Sequence, residues 1–112
     1  MTKIYVSATI EDSISAHGNT QPPHLIVRVE DEKGTPVEGL NIANFSIGSE
    51  IIGVGGSLIN IRSVSIGKDP GVYLLKLLPL SGQTWKSGVH IFSVTASQER
   101  HKGLTFCCRF IN

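Results

Sequence analysis

Apolar residues recur at every second position in short blocks of this chain, and Gly, Pro, Asn or Ser closes each block. A period of two marks a strand buried on one side, whereas an amphipathic helix repeats every three or four positions. Seven blocks carry the pattern, near Lys3 to Ile10, His24 to Asp31, Leu40 to Ile47, Ser57 to Ile66, Gly71 to Leu78, Gly88 to Ser97 and Gly103 to Ile111. In the second, Leu25, Val27 and Val29 share a face against Arg28 and Glu30. In the fifth, Tyr73, Leu75 and Leu77 form the core face opposite Leu74, Lys76 and Leu78. The sixth alternates Phe92, Val94 and Ala96 with Ile91, Ser93 and Thr95. In the last, Leu104, Phe106, Cys108 and Phe110 form an apolar stripe opposed by Thr105, Cys107 and Arg109. The expectation is an all-β, antiparallel sandwich of about seven strands with Greek-key connections.

Length fits one domain over residues 1–112, since 112 residues can bury a single core without a metal or disulfide. Ten basic against nine acidic residues give a net charge of +1, and no Lys or Arg run exceeds two positions, so an electrostatic nucleic-acid footprint is not expected. The apolar blocks are far shorter than a membrane-spanning helix needs. The start, "MTKIYVSATIEDS", lacks the apolar block and cleavage site of a signal peptide, which makes a cytoplasmic location the default expectation. Cys107 and Cys108 are adjacent, so an extended chain points them to opposite faces and they read as two thiols, not as a bridge or a zinc site.

Between the second and third blocks stands "VRVEDEKGTPVEGL", Val27 to Leu40. Asp31, Glu32 and Lys33 fall where a strand leaves the sheet, Gly34 supplies a positive φ for the reversal, and Pro36 fixes the re-entry. Asp31, Glu32 and Glu38 do not follow a calcium-loop ligand pattern. This turn, together with "DPGVYLLKLLP" and "WKSGVHIFSVTAS", resembles immunoglobulin-like β-sandwich modules of bacterial surface and multidomain proteins, and the related transthyretin-like or carboxypeptidase-regulatory-like modules. The Asp–x–x–Gly–x–Pro–Val turn matches at Asp31, Gly34, Pro36 and Val37, and a later Gly–x–Tyr strand at Gly71 and Tyr73. The resemblance runs from Leu25 to Ile111 and implies binding, spacing or adhesion and no catalysis. The Cys–Trp–Cys spacing of antibody-type domains is missing.

No catalytic constellation stands out. His17, His24, His90 and His101 are scattered, none lies in a Gly–x–Ser–x–Gly setting, and the chain reads as a non-enzyme without cofactor or metal. Gly53 to Ser57, "GVGGS", lacks the Gly–Lys–Ser/Thr ending of a phosphate loop and reads as a turn. If the strands alternate in direction, the longer loops Glu11 to Pro23, Gly48 to Gly56 and Pro79 to Ser87 share one end of the sandwich. The short charged turns around Lys33, Lys68 and Arg100 share the other. The first end then holds the candidate binding residues Trp85, Gln83, His17 and Asn19.

The leading expectation is a non-enzymatic module that binds a protein or acts as a structural spacer. A carbohydrate-binding module, motivated by Trp85, Tyr5 and Tyr73, is the alternative, and a small hydrolase the third. The first and last strands carry few charges, so edge pairing would make a homodimer.

Overall fold

In a computed structural model the described residues are 3–11, 24–53, 55–56, 59–79 and 88–111. Eight strands run β1 (Ile4–Glu11), β2 (His24–Asp31), β3 (Phe45–Ile51), β4 (Gly55–Gly56), β5 (Ile59–Ile66), β6 (Val72–Pro79), β7 (Gly88–Gln98) and β8 (His101–Ile111), with a three-residue 3-10 turn, Ile42–Asn44, before β3. They form two antiparallel sheets in the orders β1-β2-β6-β5 and β4-β3-β7-β8. Strands β2 and β6 are neighbours although four elements of chain separate them, and β3 and β7 although three do. That interleaving is Greek-key connectivity, and the molecule is an all-β sandwich.

The inner faces are those the alternation predicts on three strands. Leu25, Val27 and Val29 of β2 and Leu75 and Leu77 of β6 are fully buried, as are Phe92, Val94 and Ala96 of β7 in the opposite sheet. Phe45 and Ile51 close the core from β3, and Ile4 from β1.

Strand β8 does the reverse of what its apolar stripe predicts. Leu104 and Phe106 are 57% and 63% exposed and Cys108 is exposed, while Gly103, Thr105 and Cys107 point inward. Two constraints fix that phase. The two-residue turn Glu99–Arg100, with Glu99 at φ 55°, sets Gln98 opposite His101, which puts Phe106 beside outward Ser93 and Cys107 beside inward Phe92. At the inward position 103 a Cβ would sit 2.6 Å from Val6 Cγ2 and 2.7 Å from the Ile4 carbonyl oxygen, so only glycine fits there. Strands β1 and β8, each an outer strand of its own sheet, therefore lie against one another and close that side of the sandwich.

The third strand is also displaced from its predicted span. It begins at Phe45, not Leu40, because Asn41 caps the 3-10 turn: its side chain accepts from the Ala43 amide at 2.9 Å, and Asn44 Oδ1 accepts from the Asn41 amide at 2.8 Å. Asn44 Nδ2 also donates to the Ser97 carbonyl, which ties the turn to β7. Two glycines of "GVGGS" are not turn residues. Gly55 and Gly56 form β4, paired with Ile51 and Glu50. On the far edge, β5 shifts register between Ile61 and Ser63, a bulge that places Arg62 on an otherwise open strand.

Candidate functional site

The turn after β2 is built as its residues dictate. Asp31 Oδ1 accepts from the Lys33 and Thr35 amides at 2.8 and 3.0 Å, and Gly34 takes φ 80°. The Val37 amide then returns to the Val29 carbonyl. Residues of "GVY" complete the arrangement. A Cβ on Gly71 would lie 2.8 Å from Pro36 Cβ and 2.9 Å from the Val29 oxygen, and Gly71 has φ 76°. Tyr73, 2% exposed, donates its hydroxyl to the Val37 carbonyl at 2.6 Å and accepts from the Leu40 amide at 3.3 Å. The Asp–x–x–Gly–x–Pro–Val turn and the Gly–x–Tyr strand are thus two sides of one contact, and that contact is structural. It anchors the chain where it crosses from one sheet to the other.

The described strand ends divide between two ends of the sandwich. Antiparallel pairing sets Glu11 beside His24, His24 beside Lys76, Ile59 beside Pro79 and Ile51 beside His90. The strand ends that flank segments 12–23, 52–58 and 80–87 therefore converge on one end of the sandwich, which we call the loop end. At the other end, the turn end, lie the start of β1 and the turns that carry Lys33, Lys68 and Arg100. Trp85, Gln83, His17 and Asn19 lie outside the described residues, in two segments whose flanking strands are neighbours at the loop end.

The other aromatic candidates are placed apart. Tyr73 is a core residue, and Tyr5, 56% exposed on β1, lies opposite Glu30 near the turn end. Neither lies among the strand ends that flank the segment containing Trp85. His90 is buried between the sheets with its ring stacked on Phe92 at 5.9 Å, whereas His24 starts β2 and His101 starts β8 at opposite ends.

A shallow hollow of about 350 Å³ opens at the turn end beside Asp31, Glu38, Glu99 and His101. Asp31 already spends one carboxylate oxygen on its own turn, and among the described residues no three His, Cys, Asp or Glu side chains are placed to hold a metal ion together. The two cysteines are free. Cys107 is half-buried and packs on the core, and burial first, then the charge interaction with Cys108, pushes its thiol above the usual range. Among the described residues no helix is long and apolar enough to cross a membrane. No protein-family model, curated protein or solved structure matches the chain.

Proposed function

We propose that the chain is an immunoglobulin-like β-sandwich module whose work is to bind another protein through its loop end, without catalysis. The carrying observation is the convergence at that end of the strand ends flanking segments 12–23 and 80–87, which contain Trp85, Gln83, His17 and Asn19. A rigid sandwich that gathers loops at one pole is a common scaffold for recognition, and Trp is over-represented among residues that dominate binding energy. Strand order adds support. The arrangement β1-β2-β6-β5 against β4-β3-β7-β8 corresponds to the ABED and CFG sheets of immunoglobulin-like domains, with β4 as a short extra edge.

The reading is tested by a pulldown from host lysate with the unaltered chain and a Trp85→Ala/Gln83→Ala variant, followed by titration of purified captured protein against Trp fluorescence. Retention by the unaltered chain, loss with the variant, and a saturating fluorescence change are expected. Equal capture by both forms would move binding away from the loop end. No capture by either would leave a structural spacer.

A further inference from the structure

The outward face of the sheet β4-β3-β7-β8 has an unusual make-up. Its large apolar side chains, Leu104 and Phe106, stand together on β8 with Cys108, and Ile91 and Val89 extend the patch on β7. Beside Phe106 the face falls away, because Ser93 pairs with Phe106 and Gly48 pairs with Ser93. A Cβ on Gly48 would lie 2.7 Å from Ser93 Oγ, so position 48 takes a glycine and only small groups stand beside Phe106. Charge among the described outward side chains of β3, β7 and β8 is confined to two opposite corners, Glu50 at the end of β3 and Lys102 at the start of β8. Patches of exposed apolar side chains with a polar rim mark interaction sites.

From this layout we infer that the face is an interface between two copies of the chain. A two-fold interface must be self-complementary, each group meeting its counterpart's complement. Lys102 lies four residues from Phe106 along β8, about 13 Å at ~3.3 Å per residue. Glu50 lies two strands across and two residues along, about 12 Å with strands ~4.8 Å apart. Phe106 is thus nearly equidistant from the acid and the base. A two-fold axis lying in the face, passing over Phe106 and equidistant from both corners, sets Lys102 of each copy on Glu50 of the other. The same operation sets Phe106 against its own counterpart and brings Leu104 over Ser93 of the second copy, a large side chain above a small one. Charge and shape are satisfied by one axis. The few apolar side chains fit a weak dimer, below the ~800 Å² per partner of standard interfaces. This inference does not rest on the loop-end reading, and its residues are all on a different surface.

The test is sedimentation equilibrium of the full chain from micromolar to millimolar concentration, in reducing buffer so that disulfides through Cys108 do not contribute. A monomer–dimer equilibrium is expected. Phe106→Asp should be monomeric throughout, and Lys102→Glu and Glu50→Lys should each weaken the dimer severalfold. The double swap should restore it to within about twofold. Thermal melts check that each variant is folded, and should Phe106→Asp fail to fold, the charge cycle alone decides. A chain monomeric at the highest concentration, a dimer indifferent to Phe106→Asp, or a double swap no tighter than the single reversals would overturn the inference, even where the face captured some other protein.

Discussion

Tyr73→Phe would remove one oxygen and deprive both the Val37 carbonyl and the Leu40 amide of the hydroxyl they share in a buried site. Losing one member of a buried hydrogen-bonded set costs about 1–3 kcal/mol, because the remaining groups stay desolvated without partners. A urea titration of the variant should show that loss, with the ring's tilted contact on Phe45 at 5.3 Å retained. An unchanged midpoint would mean that the crossing segment is held by Gly34, Pro36 and its other contacts and that the hydroxyl is redundant. At this scale much was legible. Gly34 and Pro36 announce a turn in sequence, and the turn forms as they require. The reason for Gly71 was not legible, since nothing local reveals that Pro36 and the Val29 carbonyl press on it from 35 and 42 residues upstream.

Strand elements read from alternation when the alternation has a single interpretation. On β2, β6 and β7 one parity is plainly more apolar, and that parity is buried. On β8 the more apolar parity is outward, because a strand's phase is decided by its turn and its neighbours and not by its own hydrophobicity. Gly103 carries this decision. Gly103→Ala should push β1 away from β8, at a cost of about 1–3 kcal/mol, since one of the two clashes is with backbone that cannot rotate aside. Amide exchange should accelerate along β1 and stay unchanged in β2 and β6. A variant that loses stability without faster exchange in β1 would put the strain elsewhere. The displaced start of β3 has a different cause: Asn41 and Asn44 offer the backbone a capped turn, and that local chemistry outcompetes an extended reading of Leu40 to Asn44.

At the scale of the whole molecule, alternating strand direction was enough to predict which connections share an end, and pairing places the flanking strand ends accordingly. The candidate residues Trp85, Gln83, His17 and Asn19 lie outside the described residues, and only the strand ends that flank their segments are placed. The outward patch on β8 was hidden in the same apolar stripe that the sequence assigns to the core.

The side-by-side closure of β1 and β8 also has a mechanical meaning. Strand β1 starts at the turn end and β8 finishes at the loop end, so tension applied between Ile4 and Ile111 draws the two strands in opposite directions along their own axes. The ladder bonds of β1 with β2 and of β8 with β7 stand across that pull. They are loaded in shear and must fail together, not open one by one as in a hairpin pulled apart from its free ends. Single-molecule extension between those two positions should register one abrupt rupture, and a staircase of small steps would show that the ladders peel. A chain held this way transmits force without lengthening, as a link does in a tether.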